Sequence, residues 1–121
     1  MKEKEVQKVA CDMLDLYGWL WWHVPAPMVA GKDGWRPYRK AAGLPDVFAL
    51  HEDPPRFLIL EFKGKGGRLS PEQREFLRLA RNVAENIYCD DEMFRGAMGV
   101  YVVEPGNLDA LRAILRSKVL T

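Results

Sequence analysis

The sequence has few cysteines, no long apolar run and almost no excess charge, and each absence excludes a class of protein. Its 121 residues include only two cysteines, Cys11 and Cys89, which form neither a disulfide framework nor a zinc motif. We expect both to be small packed hydrophobes in a protein of the reducing cytoplasm. No apolar stretch approaches the length of a membrane span. The charged N-terminus lacks the apolar segment that a signal peptide requires.

What is present fits one ordinary globular domain over residues 1–121, with 48% hydrophobic and 29% charged residues. The net charge of +1 does not by itself indicate a nucleic-acid partner. Positive charge is nevertheless concentrated between residues 32 and 40, where only Asp33 opposes it. The candidate phosphate contacts in this stretch are Lys32, Arg36, Arg39 and Lys40. The interleaved Trp35 and Tyr38 favour stacking on an unpaired base, although an ordinary solvated loop is an open alternative.

Hydrophobic periodicity predicts the element order αβββαβα. The first helix has an apolar stripe and stops at Gly18. Strands are predicted over residues 19–24, 46–50 and 57–62, and residues 25–44 are predicted to form a long loop. A second helix begins at Ser70 and Pro71, followed by a strand over 97–103 and a last helix that starts at Gly106 or Asn107. The first helix buries Val6, Val9, Ala10, Met13 and Tyr17; the second, Phe76, Ala80, Val83 and Ile87; the third, Leu108, Leu111, Ile114 and Leu115.

The turn between the two central strands predicts a pair of facing carboxylates. If this turn is centred between Asp53 and Pro54, Leu50 pairs with Phe57, and Asp46 lies opposite Glu61. Cross-strand partners point to the same face with Cβ atoms about 5 Å apart, so the two carboxylates repel unless a cation lies between them. Side chains alternate along a strand, so Lys63 shares this face with Glu61.

Two carboxylates and a lysine are the groups that phosphodiester hydrolysis needs. Oxygen ligands favour Mg²⁺, with Mn²⁺ as a substitute, over zinc. The cation would neutralise the phosphate and activate water, and the Lys63 ammonium would orient that water and stabilise the developing charge. The alternative is that Glu61 and Lys63 form a solvated surface pair and Asp46 merely begins a strand.

Three motifs in order resemble those of the VRR-NUC branch of the PD-(D/E)XK nucleases. They are Gly43-Leu44-Pro45-Asp46, then Leu60-Glu61-Phe62-Lys63, then Gly67-Arg68-Leu69-Ser70-Pro71-Glu72-Gln73. The resemblance covers the chain from the first helix to about residue 84. It implies an α/β fold, an α+β mixed sheet with a restriction-endonuclease-like αβββαβα core.

The same resemblance implies a Mg²⁺-dependent DNA endonuclease that leaves 5′-phosphate ends. Asp46 and Glu61 would hold the metal with the Phe62 carbonyl, and no small-molecule cofactor or membrane is expected. Standalone relatives are typically viral or mobile-element proteins that act on branched DNA such as Holliday junctions. Because one site cuts one strand, symmetric cutting implies a homodimer. A non-cleaving DNA-binding module and an RNA-directed nuclease are the alternatives.

Two further positions have two interpretations each. The resemblance places an acid on the first helix, which makes Glu3 the candidate metal ligand and Glu5 the fallback. At about 100° per residue, Glu3 lies roughly 60° from the centre of the apolar stripe and Glu5 roughly 100° away. Both are also typical first-turn acids. Gln73 is either the last residue of a capping box begun by Ser70 or a catalytic residue of the active site.

The glycine-rich connection from Gly64 to Arg68 precedes a helix N-terminus. Its free backbone N–H groups, together with Lys65 and Arg68, are candidates for binding a phosphate of the nucleic acid. The alternative is a flexible, solvated turn. It is not a nucleotide-binding P-loop, because no Gly-Lys-Ser/Thr follows.

Overall fold

The structure is a computed structural model that describes residues 1–25, 28–38, 42–86 and 96–117. Within these ranges the helices are α1 (Glu3–Leu16), α2 (Pro71–Asn86) and α3 (Leu108–Arg116), and a 3₁₀ turn at Pro105–Asn107 precedes α3. The strands are β1 (Leu20–His23), β2 (Met28–Gly31), β3 (Gly34–Pro37), β4 (Val47–Glu52), β5 (Pro55–Phe62) and β6 (Met98–Val103). Apart from the β2–β3 hairpin, the order is αβββαβα, as predicted.

A mixed four-stranded sheet forms the centre of the fold, in the order β1-β4-β5-β6. The first three of these strands are antiparallel neighbours, and β6 lies parallel to β5. A parallel pair needs a long crossover connection, and α2 lies in that connection. The predicted register is confirmed, because Leu50 pairs with Phe57 and Glu52 pairs with Pro55 across a two-residue turn.

Each face of the sheet has its own hydrophobic core because side chains alternate along the strands. Leu58, Leu60 and Phe62 of β5 face α1 and α3 and are fully buried. Ile59, between them, faces α2 and packs with Leu77. Glu61 shares the face of Ile59, so its carboxyl group lies on the α2 side of the sheet.

The long loop predicted between residues 25 and 44 is wrong in part, because residues 28–37 form the antiparallel hairpin β2–β3. Its strands have four residues each, which is too short for a clear alternation of apolar and polar residues. Gly34 follows the turn with φ of +101°, a conformation that glycine adopts without steric cost.

The buried stripe predicted for α2 is wrong at Val83, whose exposed fraction is 51%. The helix instead buries Leu77 and Ala80, with Phe76 and Ala84 partly covered. Two neighbouring stripes at helical spacing share Ala80, and periodicity alone does not distinguish them. Ile87, also predicted in this stripe, lies outside the described residues.

Cys11 is buried on α1, and burial raises the pKa of its thiol to about 11, as expected for a packed side chain. Cys89 lies outside the described residues. No helix in the described part of the chain is both long and apolar enough to cross a membrane.

Candidate active site

Asp46 directly precedes β4, at the end of the backbone pairing between β4 and β5. Both its side chain and its backbone form hydrogen bonds with β5. Regular pairing begins at Val47 opposite Leu60, and one further step of this register sets Asp46 opposite Glu61. The Asp46 carboxylate accepts a hydrogen bond from the Phe62 N–H at 2.7 Å through Oδ2. Its backbone N–H donates to the Leu60 carbonyl at 3.1 Å. These two bonds hold the carboxylate against the end of β5.

Glu61 is a buried acid, with an exposed fraction of 2%. Burial raises its pKa from 4.5 to about 7, and the charge of Asp46 and a hydrogen bond with that residue add to the effect. The nearby Lys63 acts in the opposite direction. Because Asp46 contributes both repulsion and a side-chain hydrogen bond, the two carboxyl groups are immediate neighbours. The carboxylate pair expected from the hairpin is therefore present in the fold.

Lys63 lies beside this pair. Its Nζ is 3.4 Å from Glu61 Oε1 and 3.8 Å from Glu3 Oε1, and its side chain has an exposed fraction of 12%. The backbone N–H of Lys63 donates to the Val103 carbonyl at 2.9 Å, so the edge strand β6 anchors its main chain. A largely buried ammonium held between acids is restricted in position, unlike a solvated lysine on a surface.

Gln73 completes a capping box and also contacts Glu61. Its Oε1 accepts from the Ser70 N–H at 2.9 Å, and its own N–H donates to Ser70 Oγ at 3.1 Å, which completes a capping box. Its Nε2 donates to Glu61 Oε1 at 2.9 Å. The cap therefore fixes the amide that orients the Glu61 carboxylate.

The first helix brings Glu3, not Glu5, to Lys63. Glu5 Oε1 accepts from the Lys2 N–H at 3.2 Å and so caps the helix. Glu3 has a half-exposed side chain and is the acid within ion-pair distance of Lys63. Gly64 permits this approach, because a Cβ there would lie 2.7 Å from the Glu3 backbone nitrogen.

Gly43 permits a second close approach, between the segment before Asp46 and the start of α2. A Cβ at this position would lie 2.3 Å from the Glu72 carbonyl oxygen, well inside the closest contact that side chains make. Gly43 and Gly64 thus set the positions of Gln73 and Glu3 around the sheet end. Neither glycine was predicted to have a positional role, although a glycine near an active-site motif is a sign of close backbone approach.

The donor set fits a hard divalent cation. Asp46 Oδ2 is bonded to Phe62, and Glu61 Oε1 is bonded to Gln73 and lies near Lys63, so the second oxygen of each carboxylate is the candidate ligand. In the described residues no three His, Cys, Asp or Glu side chains stand together as a metal cluster. Two carboxylates suffice for Mg²⁺, which usually retains several waters and binds substrate phosphate directly.

The predicted nucleic-acid contacts occupy two places outside this centre. Lys32 and Arg36 are exposed on the β2–β3 hairpin, whereas Arg39 and Lys40 lie outside the described residues. Lys65 and Arg68 are exposed on the connection between β5 and α2. The N–H groups of Lys65 and Gly67 already donate to the carbonyls of Met1 and Gly64. This connection therefore offers two cations but fewer free N–H groups than an anion-binding loop needs.

A mixed sheet with helices on both faces, and with two carboxylates and a lysine at one end, is a nuclease-like α/β core. Residues 32–89 match the VRR-NUC domain family. This match, over just under half of the chain, confirms the resemblance seen in its motifs. The match includes Asp46, Glu61, Lys63 and Gln73, and this domain implies a DNA-cleaving nuclease function. Comparison with curated proteins and with solved structures finds no match.

Proposed function

We propose that this protein is a Mg²⁺-dependent endonuclease that hydrolyses DNA phosphodiester bonds at the Asp46–Glu61–Lys63 site. The observation that supports this function most strongly is the buried Glu61 carboxyl beside Asp46, with the Lys63 ammonium 3.4 Å away. Placing two acids together in a partly buried position is unfavourable unless a cation compensates them. A module that only binds DNA gains nothing from such a pair, because both carboxylates repel phosphate.

Each residue of the site has a distinct task in this proposal. Asp46 and Glu61 would hold the metal together with the Phe62 carbonyl. Glu3 would be a further acidic ligand. When bound, Mg²⁺ supplies positive charge that neutralises the scissile phosphate and acidifies the attacking water. Lys63 orients that water and stabilises negative charge on the phosphate oxygens.

Gln73 supports the site through Glu61. Its Nε2 holds Glu61 Oε1, which leaves the other carboxylate oxygen as the candidate metal ligand. Because the same side chain caps α2, the orientation of the carboxylate is tied to the position of the helix. In this role Gln73 is a positioning residue, and it acts through the acid that it contacts.

Cleavage of a set of DNA substrates tests the proposed function. Duplex, flap, single-stranded and four-way-junction DNA are incubated with Mg²⁺, Mn²⁺ or EDTA, and the ends produced are assayed for 5′-phosphate by ligation. We expect both cations to support cutting and EDTA to abolish it. Metal-independent binding without cutting would identify a non-cleaving DNA-binding module. Cutting restricted to a matched RNA set would identify an RNA nuclease.

The proposal includes a homodimer that cuts branched DNA, because one site of this kind cuts one strand. The strand β1 lies at an edge of the sheet, next to an apolar surface on the α2 side that α2 does not cover. Leu20, Trp22 and Leu50 form this surface, with exposed fractions of 67%, 40% and 41%. An exposed edge strand beside exposed apolar residues favours pairing with a second copy of the chain.

Charge at this edge is expected to separate the copies. Leu20→Lys places an ammonium in the proposed interface, and we expect the wild type at twice the 13.9 kDa monomer mass and the variant at the monomer mass. Light scattering measures both. Leu79→Lys, on the exposed face of α2, is the matched control and stays dimeric. A wild type that is monomeric at the concentrations used for cleavage contradicts the dimer.

A further inference from the structure

The β2–β3 hairpin has one apolar face that carries an exposed tryptophan. Paired residues on neighbouring strands point to the same side, so Ala30 and Trp35 share one face while Val29 and Arg36 share the other. Met28 lies on the Trp35 face two residues before Ala30. Trp35 has an exposed fraction of 73% and Met28 one of 47%. The hairpin therefore presents a large indole to solvent.

Nothing in the described part of the chain covers this indole. Neither hydrophobic cluster of residues 1–25, 28–38, 42–86 and 96–117 includes a hairpin residue. The aromatic contacts in the same ranges involve the other tryptophans, Trp19, Trp21 and Trp22, but not Trp35. An exposed tryptophan that no described residue covers favours a role in binding, because tryptophan is enriched at interfaces.

Both ends of the segment that contains the hairpin are fixed at the candidate active site. At the first end, the Val24 N–H donates to the Asp46 carbonyl at 2.9 Å. At the second end, Gly43 lies against the backbone of Glu72 and leads within three residues to Asp46. The chain therefore enters and leaves the hairpin segment beside the end of the sheet at which the carboxylates lie.

The charge of the hairpin favours an anionic ligand. Lys32 lies at its turn and Arg36 on the face opposite Trp35, and both are exposed, with Asp33 as the opposing acid. Cations beside an exposed aromatic ring are typical of sites that bind unpaired nucleotides. The cations contact the phosphates, and the ring stacks on a base. A continuous duplex offers no free base face, because each base is stacked between its neighbours.

We propose that Trp35 stacks on an unstacked base at a boundary between duplex and single-stranded DNA, with Lys32 and Arg36 on the adjacent phosphates. This inference rests on the proposed nuclease function and deepens it, because it names the substrate feature that the hairpin selects. DNA with an exposed base beside a duplex is then bound more tightly than a blunt duplex of the same length. Continuous duplex retains only the contacts to its phosphates.

Binding measured without cutting tests the stacking contact. In an Asp46→Asn background, fluorescence anisotropy compares a blunt duplex with duplexes that carry one unpaired base, a gap or a flap. Trp35→Ala is expected to weaken binding of the three interrupted substrates about tenfold and to leave the blunt duplex nearly unchanged. Trp35→Phe, which keeps an aromatic ring, retains most of the affinity. Leu79→Ala, an exposed apolar control on α2, changes neither.

A base analogue makes the contact directly visible. With 2-aminopurine at the boundary, the Asp46→Asn protein is expected to change the fluorescence of the base, and the added Trp35→Ala substitution to abolish the change. An equal loss on blunt and interrupted substrates, or no loss, overturns the inference. So does a change in oligomeric state of Trp35→Ala, which would place the indole between copies of the chain. These binding results do not depend on cleavage, so wild-type cutting without Trp35 selectivity would overturn this inference and leave the nuclease function standing.

Discussion

Replacing Glu61 by glutamine is expected to stabilise the metal-free protein above pH 7 and, at the same time, to remove its response to Mg²⁺. Burial and the neighbouring Asp46 raise the pKa of Glu61 from 4.5 to about 7 in the folded state. Between these values the folded protein holds a proton that the unfolded chain has lost. The contribution of Glu61 to the free energy of unfolding is therefore greatest below pH 4.5, and it is lost as the pH rises through about 7.

Glutamine removes this penalty because it is neutral at every pH and nearly the same size. At pH 8 we expect Glu61→Gln to raise the free energy of unfolding by ~1–2 kcal/mol. The attraction between Glu61 and Lys63 is already included in the raised pKa of Glu61. The corresponding rise in Tm is about 5 °C. At pH 4 the two proteins differ little, since Glu61 is then protonated in both the folded and the unfolded wild type.

When the metal is bound, we expect the wild type to be more stable than Glu61→Gln. A cation that binds only the folded protein stabilises it in proportion to the logarithm of its concentration over Kd. The wild type is expected to gain Tm in millimolar Mg²⁺ or Mn²⁺ at pH 8, and Glu61→Gln to gain almost none. Because Glu61 must lose its proton to bind a cation, the wild-type gain grows between pH 6 and 8. Metal-dependent cleavage by Glu61→Gln falls to background.

The matched control is Glu75→Gln on the exposed surface of α2. The pKa of Glu75 is lowered by its hydrogen bond to Arg78, so its neutral replacement offers no gain above pH 7. It should also leave the metal response intact. Glu61→Gln with wild-type Tm at pH 8 and an undiminished response to Mg²⁺ would show that the carboxylate pair is not a metal site.

The fold around the site was predictable wherever a local rule determined the geometry. The turn at Asp53 and Pro54 set the register of the central hairpin, and that register brought Asp46 to Glu61. The Ser70–Gln73 box set the start of α2. Each of these features depends on residues close together in sequence, for which turn and capping preferences are informative.

Features that depend on tertiary packing were not predictable in the same way. Whether Gln73 caps its helix or belongs to the active site looked like a choice, and only the distance between α2 and β5 shows that one side chain both caps α2 and contacts Glu61. That Glu3 rather than Glu5 lies beside Lys63 depends on how closely α1 approaches Gly64. Which face of α2 is buried depends on how the helix is rotated about its axis against the sheet. The sequence period does not determine this rotation, because two neighbouring apolar stripes fit it equally well.

Replacing Lys63 by methionine is expected to reduce the rate of DNA cleavage by about a hundredfold to a thousandfold while the metal still binds. Methionine keeps the length of the apolar part of the side chain, so the packing at this largely buried position is preserved. What is lost is the ammonium 3.4 Å from Glu61 and 3.8 Å from Glu3. Without it, the site loses the positive charge that the described residues place beside the two acids.

Loss of the ammonium also affects Glu61, because Lys63 lowers the pKa of that carboxyl. In Lys63→Met the pKa of Glu61 rises further, so metal binding weakens near pH 7 and recovers at higher pH. Single-turnover cleavage at pH 8.5 with saturating Mn²⁺ therefore separates the two effects. A catalytic role predicts that the rate stays low under these conditions. If Lys63 served only to favour the charged form of Glu61, the rate would recover to the wild-type value.

Lys65→Met provides the comparison for simple loss of charge, since Lys65 is exposed two residues further along the same segment. Its removal weakens DNA binding modestly and in a salt-dependent way, and leaves the single-turnover rate on bound DNA unchanged. Lys63→Arg retains positive charge but spreads it over a larger, planar group that does not reproduce the position of Nζ. We therefore expect Lys63→Arg to restore the Glu61 titration more fully than the cleavage rate, which requires the charge at the position where the water is held.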